Sequence, residues 1–256
     1  MLDVLYCDGR LIAVHKPSGM LVHPTSWCPG EPGCLQILQD QIKAFLFPVH
    51  RLDRSTSGVL LFALDQEMAS RVGALFREGK ISKRYLAVVR GFTEAQGRFN
   101  EPLKRKDKCG ERHALTEYER EAQVELHVPV GPYRTARYSL VRAIPHTGRN
   151  HQIRRHFAHA SHPVIGDQKH GDRDHNRFFR SAFGIERLLL FATEIAFEHP
   201  TLQRRMTIRA PLPPEIQFLF KRMGWPTPSE PQSGRLRCLP IRDGSRPTAL
   251  ATHPAL

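Results

Sequence analysis

The chain of 256 residues is long enough to bury a substantial core, and its 40% hydrophobic content excludes global disorder. Lysine and arginine number 38 against 25 acids, a formal charge of +13 that attracts polyanions, nucleic acid first among them. Five cysteines at 7, 28, 34, 109 and 238 form no Cys-x-x-Cys pair, and their odd number and irregular spacing suggest neither a disulfide framework nor a zinc ribbon.

No apolar run is long enough to cross a membrane, and acidic Asp3 stands where a secretory leader would be basic. A soluble cytoplasmic protein is expected. The opening "LDVLYCDGRLIAVHKPSG" predicts two short strands around Asp8-Gly9, followed by a Pro-Ser-Gly turn. Leu35, Leu38, Ile42, Phe45 and Leu46 have helical spacing, which predicts a helix over 35–46 that Pro48 ends. A strand is expected at 58–64. Asp65 then reads as a helix N-cap, Met68, Val72, Leu75 and Phe76 as one helical face, and Gly79 as the stop.

"KRYLAVVRG" at 83–91 predicts a strand, with further strands at 114–119, 123–128 and 138–144. The segment after Gly148 suits a basic helix. "RLLLFATEIAF" at 187–197 reads as a buried strand, 204–209 as a shorter one, and 214–223 as a final helix. With no regular β-α-β repeat, the order favours an α+β fold with a largely antiparallel sheet. From Pro226 onward proline, serine, arginine and small residues dominate. Residues 1–226 are therefore expected to form the folded unit and 227–256 a disordered or loosely attached tail.

"HRLDRSTSG" at 50–58 places Asp53 between two arginines and directly before an apolar run. Taken alone it is a turn, because Asp and Ser start turns and Gly58 accepts unusual backbone. A second segment shifts that balance. Residues 148–156 read "GRNHQIRRH" and continue "FAHASHPVIGD". With "HKPSG" at 15–19 and "KRYLAVVRG", these resemble, in order, the large-subunit pseudouridine synthase A class. The match runs from about residue 3 to about 225. "GPYRTARYSLV", "HPVIGDQKHGD" and a late Gly-Trp point within the class to a subgroup acting on tRNA.

The resemblance implies a mixed, mostly antiparallel sheet with helices and loops around a central cleft. It implies an RNA isomerase that breaks the uridine N1–C1′ bond, turns the base and joins C5 to C1′. That reaction requires no redox cofactor, nucleotide or metal. Cleavage of a glycosidic bond develops positive charge on the sugar, which a carboxylate can attack or stabilise. The class's catalytic aspartate falls on Asp53. Attack on C1′, attack on the base and abstraction of a sugar proton all remain open to it. Arg154 matches the basic partner, and a guanidinium can hold a carboxylate through two parallel hydrogen bonds. Tyr85 falls where the class has a tyrosine that can stack on the flipped uracil. Arg51 matches an arginine that contacts RNA beside the extruded nucleotide.

Lys104, Arg105, Lys106 and Lys108 form a basic stretch expected as an exposed loop, either solvated or touching RNA phosphate. His151, His156, His159 and His162 cluster within twelve residues, but no matched carboxylate set accompanies them, so packing or RNA contact is favoured over metal. One departure from the class is Phe191, where a histidine is usual between Leu190 and Ala192. The subgroup implies uridine 65 of tRNA as substrate. Related enzymes modify ribosomal RNA with the same core motifs, and an RNA-binding module without catalysis is the different-class alternative. No protein partner is suggested, and a monomer is expected.

Overall fold

A computed structural model describes residues 1–24, 30–104 and 110–226. The expected hairpin forms as β1 (Asp3–Cys7) and β2 (Leu11–Lys16). Helix α1 (Cys34–Ile42) is shorter than its apolar spacing predicts: Lys43 adopts a left-handed backbone (φ 55°) and ends it, Phe45 is exposed, and Leu46 is buried beyond the helix. Pro48 belongs to a two-residue strand, β3 (Phe47–Pro48), followed by β4 (Ser57–Ala63).

Helix α2 (Gln66–Arg77) begins and ends where its local chemistry says it should. The Asp65 carboxylate accepts the Met68 N–H at 2.7 Å. At the other end Gly79 has φ 69°, and the Lys80 N–H returns to the Leu75 carbonyl at 2.9 Å. Then come β5 (Ser82–Arg90), β6 (Gln96–Phe99) and the short hairpin β7 (Leu103–Lys104) with β8 (Glu111–Arg112). Strand β9 (Thr116–Leu126) is one continuous element where two were expected. Its register with β10 (Ala136–Pro145) shifts at Leu140/Val141, where Glu121 is an extra, bulged residue. Helix α3 (Gln152–His159), helix α4 (Arg173–Phe183), β11 (Leu190–Glu198), β12 (Arg205–Arg209) and α5 (Pro214–Arg222) complete the order.

Ten strands form one sheet in the order β1-β2-β4-β11-β5-β10-β9-β6, with β12 on β11 and β3 on β4. Every pairing is antiparallel except β4 with β11, which pair in register at Phe191↔Ser57 and Ala192↔Gly58. Strict alternation sorts the side chains onto two faces. Leu11, Ala13, Val59 and Leu61 pack under α2, while Leu86, Val88, Leu140 and Phe191 pack under α4 and α5. The opposite face puts Ile12, Val14, Leu60 and Phe62 under α1, and Ala87, Val89, Val141 and Ala143 under α3. Tyr85 packs against both of these last clusters, so it marks the seam between them.

Gly58 makes the parallel junction possible. Its φ is +120°, and an added Cβ would lie 2.1 Å from the Ala192 carbonyl oxygen. Gly58→Ala is expected to cost on the order of 3 kcal/mol or more. A denaturant-unfolding midpoint equal to that of the wild type would show that β11 has room to move.

Candidate active site

One row of paired residues crosses the sheet at the seam: Lys16↔Gly58↔Ala192↔Tyr85↔Ala143↔Tyr118. It brings the start of "HKPSG", the end of "HRLDRSTSG" and the tyrosine of "KRYLAVV" into register. The loop carrying Asp53 enters this row just before β4.

That loop is laced to the "HKPSG" turn. Lys16 is fully buried, and its Nζ donates to the carbonyls of Pro17 at 2.9 Å, Met20 at 2.7 Å and Arg54 at 2.9 Å. Burial lowers its pKa to about 8, against the opposing pull of Cys34 and Asp53. The Ser18 hydroxyl donates to the Ser55 carbonyl, the Gly19 N–H to the Arg54 carbonyl, and Arg54 Nε back to the Gly19 carbonyl. His50 holds the other end, with Nε2 accepting the Leu61 N–H at 3.0 Å. Burial pushes its pKa down to about 3, so it stays a neutral acceptor. Phe191, in the place of the usual histidine, faces away from this site into the core beneath α4 and α5.

Asp53 and Arg154 meet, as their motifs imply. Arg154 Nη1 donates to Asp53 Oδ2 at 3.1 Å. The expected two-bond fork to Asp53, however, is not what the guanidinium makes. Its parallel pair goes to Asp167, from Nε to Oδ2 and from Nη2 to Oδ1, both at 2.7 Å. Arg154 is 6% and Asp167 2% exposed, whereas the Asp53 side chain is 20% exposed. The fully buried carboxylate takes the fork because it has no water to satisfy it, and the third nitrogen remains for the accessible one. Arg155 turns outward, donating to the Lys104 carbonyl at 2.9 Å.

Asp167 is the residue that sequence reasoning missed. Burial alone would raise its pKa, but Arg154 and the N–H groups of His170 and Lys169 outweigh that and hold it below the ordinary value. Its loop is pinned by Asn176 of α4, which donates to the Asp167 carbonyl at 3.0 Å and accepts the Gly166 N–H at 2.7 Å. The available signal was Asp167 directly after the apolar "PVIG". A carboxylate entering a core there needs a cation.

Tyr85 is partly buried at the seam. Burial, and secondarily the Asp53 charge, raise its pKa, so the ring stays a neutral phenol. Lys83, two residues earlier and on the same face, was also missed. Burial lowers its pKa, and Nζ reaches the Thr147 carbonyl at 3.4 Å. Arg51 is exposed on the Asp53 loop and makes no ion pair among the described residues. Lys104 is exposed on β7 instead of in a loop, while Arg105, Lys106 and Lys108 lie outside the described residues.

The clustered histidines take separate partners. His156 Nδ1 pairs with the Thr116 hydroxyl, His162 Nδ1 with the Arg90 carbonyl, and His151 Nδ1 with His170 Nε2. Among the described residues no group of three or more His, Cys, Asp or Glu could hold a metal ion. No described helix is long and apolar enough to cross a membrane. The arrangement offers a partly open carboxylate beside a neutral aromatic ring. Such a pair can stack a planar base and attack or stabilise an electron-poor carbon.

The sequence model of the RNA pseudouridylate synthases matches residues 10–159. Among curated proteins, tRNA pseudouridine synthase C of Haemophilus influenzae is 45% identical over 236 residues, covering 88% of this chain and 99% of that one. Its counterpart of the same name in Vibrio cholerae is 44% identical over 237 residues, covering 88% and 97%. Among solved structures, human RNA pseudouridylate synthase domain containing 4 superposes with a TM-score of 0.68 at 24% identity, over 88% of this chain and 94% of that one. Human RNA pseudouridylate synthase domain containing 1 gives 0.66 at 23% identity, over 83% and 84%. The sequence match covers more than half the chain, the curated relatives cover nearly all of it, and the motifs behind the resemblance converge at one seam: the chain belongs to the RNA pseudouridylate synthase family.

Proposed function

We propose that this protein isomerises a uridine of tRNA to pseudouridine, at position 65, with Asp53 as the essential carboxylate, Arg154 as its partner and Tyr85 as the ring beneath the base. The observation that carries the reading is the Asp53–Arg154 contact, which joins two motifs 101 residues apart beside Tyr85. The curated relatives, named as tRNA pseudouridine synthases, support the choice of RNA.

The N1–C1′ bond breaks, C5 joins C1′, and the proton lost from C5 is balanced by one gained at N1. Asp53 meets the positive character that develops at the sugar. Arg154 holds the carboxylate in place, and Asp167 holds Arg154 in place. Tyr85 offers a π-face to an extruded uracil at no cost in ionisation. Purified protein incubated with tRNA is expected to convert one uridine, at position 65, without strand cleavage. Pseudouridine mapped instead to ribosomal RNA, or to no RNA, would overturn the substrate assignment.

Arg51, Lys104, Arg105 and Lys106 form the basic fringe on this reading. Alanine at Arg51 or at one of the other three is expected to weaken RNA binding and flatten its salt dependence by about one unit. The single-turnover rate at saturating RNA should change by less than about twofold. Unaltered salt slopes for all four would make them solvated surface charges.

A further inference from the structure

Two imidazoles at the seam have no part in the mechanism above. His151 is the N-cap of α3, with a left-handed backbone (φ 52°). Its Nε2 lies 4.0 Å from Asp53 Oδ2. Its Nδ1 lies 2.9 Å from Nε2 of His170, the rings meeting nearly at right angles. The His170 backbone N–H in turn binds Asp167 Oδ1 at 3.0 Å. The imidazole pair thus runs from the loop that supports Arg154 to the carboxylate that Arg154 touches.

Proton counting decides how the pair is arranged. A neutral imidazole has one N–H and one lone pair, and two nitrogens 2.9 Å apart need one of each. An N–H facing the Asp53 carboxylate is attracted, whereas a lone pair there is repelled. His151 therefore has its proton on Nε2, its Nδ1 accepts, and His170 must donate from Nε2. Burial is the largest influence on both rings and keeps them neutral. Arg154 and Arg155 of α3 and Lys169 of the following loop oppose a second proton, while Asp53 and Asp167 favour one. The pKa of His151 is lowered to about 4.

We propose that His170 fixes the tautomer of His151 so that an Nε2–H faces Asp53 Oδ2 and serves as a positioning contact for the carboxylate during the reaction. Arg154 Nη1 approaches the same Oδ2, at 3.1 Å. Both contacts converge on one oxygen, and Oδ1 is left to face the substrate. At 4.0 Å the His151 contact is longer than a hydrogen bond, and an approach of about 1 Å makes it one. His151 and His170 are positioning residues here, and the inference rests on Asp53 being the essential carboxylate.

Nitrogen-15 NMR of histidine-labelled protein tests the tautomers directly. His151 is expected with a protonated Nε2 and a bare Nδ1, and His170 with a protonated Nε2. A proton on His151 Nδ1 with Nε2 bare overturns the proposal, whatever the variants do. His170→Phe removes the donor and is expected to lower the single-turnover rate about tenfold at unchanged RNA affinity, as loss of an orienting partner does. His170→Asn supplies an amide N–H and should recover the rate to within about threefold of wild type. A wild-type rate for His170→Phe, in a protein whose Asp53→Asn variant is inactive, overturns this inference alone. Turnover by Asp53→Asn itself would instead overturn the assignment of the carboxylate.

Discussion

Asp53→Asn is expected to abolish pseudouridine formation, with a fall of more than about 10³-fold in single-turnover rate, while RNA affinity stays within about twofold of wild type. The substitution preserves shape and removes one charge. It should not unfold the protein, for a reason visible in the geometry: Asp53 receives a single bond from Arg154, whose fork to Asp167 stays intact. The thermal midpoint should move by less than about 4 °C, the shift that about 1 kcal/mol produces in a domain of this size. Rate, affinity and midpoint are measured on the same preparation. Normal turnover would remove Asp53 from the chemistry. Lost turnover with lost affinity would make it a residue of the binding surface.

Arg154→Lys separates a phosphate contact from a structural fork. A lysine ammonium keeps the charge but cannot present three nitrogens in one plane to two carboxylates. The rate should fall about 100-fold or more with the salt slope of binding unchanged. The variant should also lose roughly 3 kcal/mol of stability, because Asp167 is left buried with its fork broken. Arg155→Lys, facing the Lys104 carbonyl, serves as the control and should remain near wild type. Asp167→Asn should reproduce the loss of rate without touching substrate. Its effect on stability has a definite pH dependence. The folded pKa of Asp167 is depressed, so the carboxylate's contribution is present above the unfolded value of about 3.9 and is lost as pH falls through the folded one. The stability gap between wild type and Asp167→Asn should be full at neutral pH, begin to narrow near pH 4 and close as pH falls through the lower folded pKa. A gap constant with pH would mean that the carboxylate charge is not what Arg154 holds.

Elements that depend on neighbouring residues were legible in the sequence. The Asp65 cap and the Gly79 stop of α2 are local hydrogen-bonding problems, and both ends lie where those residues put them. The alternating and helical patterns of β1, β2, β4, β5 and α5 are carried by apolar residues. Helix α4 was not legible because its buried side is His175, Asn176 and Phe179, two of them polar, and polarity there reads as surface. Strand β9 was divided in two because its middle, Glu119–Gln123, is polar and bulged. Strand β6 and the β7–β8 hairpin are short, and their pairings have little sequence pattern to show.

At the site, the sequence by itself determined which chemistry was present: a carboxylate, an arginine and a tyrosine in motifs whose order resembles one family. Only the tertiary structure decided how they are held. The row from Lys16 to Tyr118 exists because β4 and β11 cross side by side at Gly58, and no local pattern encodes a pairing between residues 58 and 192. The choice of Asp167 over Asp53 for the Arg154 fork depends on which carboxylate is sealed from water, a property of the packed loop around Asn176 and α4. Burial and long-range pairing appear only once distant segments have met, and they set the strength and direction of every charge at the seam.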